Sequence, residues 1–174
     1  MKHLIIGLIV LFQINNALAY DINEIRADYI EAINNSEKAD ELYKELTSLK
    51  SRDALVMAYL GSTIAVKAKH EWNPVNKLSY IKQAFRILNE AVEKAPNQLE
   101  VRFLRFTLEH YVPEFLGYSK NINQDKAKVI DLVKKSNVQS LKIDAKILRD
   151  MVNFMIDSKR CSPNEVAVLQ KVLS

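Results

Sequence analysis

Few side chains in this sequence are suited to chemistry, and they gather in two places. "RFLRFTLEHYVPEFLGY", residues 102–118, holds Arg102, Arg105 and Glu109 at steps of three and four, with His110 beside them. On a helix that spacing makes one polar line. Two guanidinium forks on such a line suit a carboxylate, whether of an acidic ligand or of a partner protein. The competing reading is an ordinary pair of Arg105 with Glu109 one turn on, or a solvated edge. The second place is "HEWNP", residues 70–74. His70 and Glu71 begin a zinc-protease pattern, but its second histidine would stand where Pro74 is, so that chemistry is absent.

Other catalytic patterns are missing as well. The sequence has no Gly-rich phosphate loop, no Gly-x-Ser-x-Gly elbow and no Cys-x-x-Cys. Neither His70 nor His110 has a serine or cysteine next to it to activate. The sequence therefore points away from an enzyme and implies no cofactor and no metal. The lone Cys161 permits no internal disulfide, leaving an intermolecular bridge or a bystander thiol.

These residues need a scaffold, and the punctuation of the chain supplies one. The first nineteen residues have the form of a signal peptide. Lys2 is followed by the uncharged run Leu4 to Phe12 and then by the small-x-small pattern Ala17-Leu18-Ala19. That run is shorter than the roughly 20 residues that cross a bilayer. The expectation is an exported, periplasmic or extracellular protein beginning at Tyr20. It would have a single all-α domain over 20–174 and no transmembrane segment. With a formal net charge of +4 and interspersed signs, it shows no concentrated basic face for nucleic acid.

Beyond residue 19 only Gly61 and Gly117 remain, and Pro74, Pro96, Pro113 and Pro163 all stand where a helical pattern starts or stops. No stretch alternates with period two, so no strand is expected. Helices are expected at about 21–34, 37–48, 53–70, 74–95, 98–112, 123–136, 139–158 and 163–173. Asp53 and Asn73 are expected to cap the third and fourth. Ser162, Pro163 and Glu165 form a capping box for the last. Ala54, Ala58, Gly61 and Ala65 form a small-residue face on the third helix that admits a close neighbour. On the fifth, Val101, Leu104, Leu108, Tyr111 and Val112 share one face, while Phe103 and Phe106 lie nearly opposite. A helix with two apolar faces is sandwiched, which leaves the arginine line looking out between them.

The middle of the chain, about 53–112, resembles tetratricopeptide repeats. Ala84, Ala91 and Pro96 match the second helix of such a repeat, and Leu60-Gly61 matches the Leu-Gly pair of the first. Gly61 and Ala84 stand too far apart for a standard unit, so the repeat is degenerate and its helices long. Over roughly 40–130, "AYLGSTIAVKAKHEWNPVNKLSYIKQAFRILNEAV", "EVRFLRF" and "VPEFLGY" resemble a group of small exported proteins of Bacteroidetes-type bacteria. That resemblance brings no activity and no site residue with it.

Two functions compete on this reading. One is an exported, non-catalytic module binding a protein or peptide partner in the cell envelope, or a second copy of itself, through Arg102, Arg105 and Glu109. The face lined by the first helices of solenoid hairpins would be its groove. The other is a small-ligand or metal-binding protein using a helix-end pocket of His70, Trp72, Asn73, Lys77, His110, Tyr111 and Tyr118. In that pocket the two imidazoles would approach one another. Otherwise Trp72 is expected to pack over the helix ends and close the hairpin.

Overall fold

The computed structural model describes residues 20–49, 53–135 and 143–173. The signal-peptide segment, residues 1–19, lies outside the described residues. Eight α-helices and no strand are found among those described. They are α1 (Ile22–Ala32), α2 (Ser36–Ser48), α3 (Ala54–His70), α4 (Pro74–Lys94), α5 (Leu99–Tyr111), α6 (Ile122–Lys135), α7 (Ala145–Asp157) and α8 (Pro163–Leu173). A single 3-10 turn, Glu114–Leu116, follows Pro113 and closes at Gly117, whose φ of 74° suits glycine. The fold is all-α.

The helix starts come from local chemistry. Asp53 Oδ1 accepts from the backbone N–H groups of Leu55 and Val56, and Asn73 Oδ1 accepts from those of Val75 and Asn76. Each satisfies donors the helix cannot. Before α8, Glu165 accepts from Ser162 N–H at 2.7 Å while Ser162 Oγ accepts from Glu165 N–H, the reciprocal box its sequence predicts. The seventh helix differs from expectation. It begins at Ala145, because Asp144 takes a non-helical conformation and caps Lys146 N–H. The expected start at 139 lies outside the described residues.

α3 is the central rod, packed on α1, α2, α4 and α5. Gly61 sets its distance from α4: a Cβ there would stand 3.0 Å from Leu88 Cγ and 3.2 Å from the Ala84 carbonyl oxygen. Short connections and side-by-side packing make α3 antiparallel to α4 and α4 antiparallel to α5, so α3 and α5 run parallel. With α1 and α2 laid over α3, the groove expected along the first helices of the hairpins is filled.

Two apolar cores meet at α5. Val101, Leu104, Leu108 and Val112 join the core built by α1 to α4. Leu99 and Phe106, with Phe103 at its edge, join a second core built by α6, α7 and α8. The sandwiched helix expected from the sequence is the one observed, except that Tyr111 stands exposed rather than on the first face.

Candidate functional site

The arginine line is the first candidate, and the structure closes it. Arg102 and Arg105 are both buried, and Asp125 of α6 is fully enclosed between them. Arg102 Nη1 donates to Asp125 Oδ1 at 2.7 Å and its Nε to the Pro96 carbonyl at 2.8 Å. Arg105 donates to both oxygens of Asp125, at 2.7 and 2.9 Å, and to Asn89 Oδ1 of α4. Glu109 makes no salt bridge to Arg105. Its carboxylate accepts from Asn121 N–H and Nδ2, pinning the start of α6. Burial holds the Glu109 carboxyl above its usual range, opposed by the Asn121 bonds. The outward-looking recognition line is therefore a correction: α6 lies over it, and its polar groups are the seam between the two helices.

A second buried network, unforeseen from the sequence, ties α1 to α5. Arg26 grips Glu100 with both forks, at 2.9 and 2.6 Å, and the Tyr59 hydroxyl donates to the same carboxylate. Burial first, then the Glu100 charge, pushes Tyr59 far above the usual phenol range. This network also fixes the register of the parallel helices. From Tyr59 to His70 and from Glu100 to Tyr111 the chain climbs equally far, about 16 Å at 1.5 Å per residue. Both helices therefore end at the same end of the molecule. α1 ends there too, since His70 Nε2 donates to the Ala32 carbonyl at 3.1 Å and Lys69 Nζ to that of Ile33 at 2.6 Å.

The expected helix-end pocket does not form at this end. His70 is turned to α1. His110 is turned the other way, its ring 5.5 Å from that of Phe154 on α7, and its Nδ1 accepts from Arg160 Nε at 3.1 Å. The two imidazoles thus serve different neighbours on opposite sides of the α5 sandwich. Burial, with Arg160 adding to it, holds His110 below its ordinary pKa. Tyr118 is spent stacking on Phe85 at 4.7 Å, and Asn73 on capping α4. Lys77 is exposed on the first turn of α4. No group of three or more histidine, cysteine or acidic side chains fit to hold a metal ion occurs among the described residues. Two shallow grooves stand out. One, of about 370 Å³, is bounded by Pro74, Val75, Leu78, Ser79 and Lys82; the other, of about 410 Å³, lies beside Asn97, Arg102 and Lys128. Neither is lined by His70, Trp72 or His110.

What this end does carry is exposed apolar surface. Trp72 is 87% exposed and Phe115 86%, and Val75, Tyr111, Ile30 and Leu116 are exposed as well. These six are all the large apolar side chains left exposed among the described residues. All belong to the last turn of α1, the α3–α4 connection and first turn of α4, or the end of α5 and its 3-10 turn. Trp72 does not close the hairpin. The three-residue link is held instead by Glu71, which accepts from Asn73 N–H at 2.8 Å. The sequence marks Trp72 and Tyr111 as site residues but misses Phe115 and Arg160. Pro113 was the available signal for the first, since it expels Phe115 from the helix.

No protein-family model, no curated protein and no solved structure matches the chain.

Proposed function

We propose that this chain is an exported, non-catalytic helical module that docks on a component of the cell envelope through its aromatic end. One observation carries the reading: every large exposed apolar side chain among the described residues belongs to that end, while the polar clusters elsewhere are sealed. Exposed tryptophan, tyrosine and phenylalanine gathered in one region are the usual anchors of an interface. Among the described residues, His70 is bonded to a backbone carbonyl and His110 to an arginine. The successive hairpins α3–α4 and α5–α6 support a tetratricopeptide-like centre, although docking falls at a helix end rather than in a solenoid groove.

The test is site-specific photo-crosslinking in the native host. A crosslinking amino acid is placed at Trp72, at Phe115, or at the exposed Glu93 near the opposite end of α4. Adducts with envelope material from the first two positions and none from the third are expected. Equal labelling from all three would overturn the reading. Mass spectrometry of the same material is expected to find Tyr20 at the N-terminus.

A further inference from the structure

The charge around the aromatic end narrows what it docks on, and we infer that its partner is a lipid bilayer surface bearing anionic headgroups. This rests on the aromatic end being the docking surface. No helix among the described residues is long and apolar enough to cross a membrane, so the contact is with the surface.

The shape of the patch is the first argument. Trp72 stands in the three-residue α3–α4 link and Phe115 in the 3-10 turn of the α5–α6 connection, and Val75 opens the helix after the first. They are projections rather than the walls of a cleft, and the nearby groove beside Val75 is shallow. A protein partner is bound best where anchors fill pockets. Projecting tryptophan, phenylalanine and leucine need only depth, which the boundary between headgroups and acyl chains provides to side chains of any arrangement.

The second argument is electrostatic. Lys77, Lys120 and Lys159 belong to the helix ends and connections of this end, and none has a carboxylate partner within salt-bridge distance among the described residues. Of the carboxylates in the two projecting connections, Glu114 is paired with Arg160 at 3.2 Å, while Glu71 accepts from the neutral groups of Asn73 and Asn76 and keeps its negative charge. Glu71, Glu31 and Asp157 remain as opposing charges, and Glu31 lies towards Lys38. Unpaired lysines around exposed aromatics complement a negative surface. They reach it through long apolar stems that lie along the same boundary.

The molecule contains its own probe, because Trp72 is its only tryptophan. The chain beginning at Tyr20 is used, since both apolar cores lie after that residue. It is mixed with vesicles of phosphatidylcholine alone, and with vesicles of phosphatidylcholine and phosphatidylglycerol. The expected result is a blue shift of Trp72 emission and co-sedimentation with the anionic vesicles, weak on the neutral ones. Replacing Phe115→Ala should weaken binding by roughly ten-fold, the loss of one partly inserted aromatic side chain. Replacing Lys77→Gln and Lys120→Gln together should weaken binding to anionic vesicles by about five-fold for each lysine that reaches the surface. An emission spectrum unchanged by either vesicle overturns the inference, as does equal binding to both. A blue shift that grows with protein concentration in the absence of lipid also overturns it, because a second copy then covers the end. If vesicles fail while crosslinks from Trp72 and Phe115 reach one envelope protein, the docking function stands without the bilayer. If both fail, both readings fall.

Discussion

Within residues 102–118 two halves of one aromatic-rich segment meet opposite fates. Phe106 is wholly enclosed between α5 and α7, while Phe115, nine residues on, is 86% exposed. Composition does not distinguish them, and position does. The first half lies on a helix with a core on either side, so Phe103 and Phe106 find a wall, and only Tyr111 at the helix end stands exposed. Beyond Pro113 the chain turns away through a 3-10 turn and Gly117, past the last turn of every helix that could cover it. Within this segment Phe103 and Phe106 are held by the sandwich, Tyr111 and Phe115 around Pro113 are exposed, and Tyr118 returns to stack on Phe85.

The largest effect should come from opening the sealed half at its polar seam. Asp125→Ala leaves Arg102 and Arg105 buried without a counter-charge, and should cost about 3–5 kcal/mol. Chemical denaturation monitored by circular dichroism reads this as a lower midpoint. A variant as stable as the parent would mean that the seam is not closed.

The comparison sharpens when one change is made in both halves. Phe106→Leu should destabilise by about 1–2 kcal/mol, as truncations in a packed core do, whereas Phe115→Leu should stay within about 0.5 kcal/mol. Equal losses would contradict the contrast between the halves.

The smallest effect lies at their boundary, at His110. Burial and Arg160 hold its folded pKa below the ordinary value of about 6.5. Between those two values the unfolded chain binds more protons than the folded one, so stability rises with pH in that window. The contribution is fully present above about pH 6.5 and fades as the pH falls towards the folded value. Thermal melts of the parent between neutral and mildly acidic pH should show a shallow decline that His110→Gln flattens. An identical slope in both would remove His110 as its source.

How much of this was legible depends on the distance over which each feature is decided. The helices were, because prolines and caps are local: Asn73-Pro74 and Ser162-Pro163 mark their helices within a few residues. So was the double-faced α5, since its two apolar stripes are written in its own period. The fate of the arginine line was not. A helical wheel places Arg102 and Arg105 between two apolar faces, but Asp125 lies twenty residues beyond Arg105 on another helix. The partners of His110 and Arg26 are further still, at Arg160 and Glu100. Trp72 was located but assigned the wrong role, because nothing local says that Glu71 makes the turn self-sufficient.

α5 contributes one wall to each apolar core, and this has a consequence for how the molecule comes apart. If α5 loosens, the α1–α4 layer loses Leu104 and Leu108 while the α6–α8 layer loses Phe106. Neither layer can open through α5 and leave the other whole. Native-state hydrogen exchange should therefore show the slowest amides of α3, α5 and α6 sharing one opening free energy, a single cooperative unit rather than two stacked ones. The amides of the 3-10 turn Glu114–Leu116, where no side chain is buried, should exchange without drawing on that common stability.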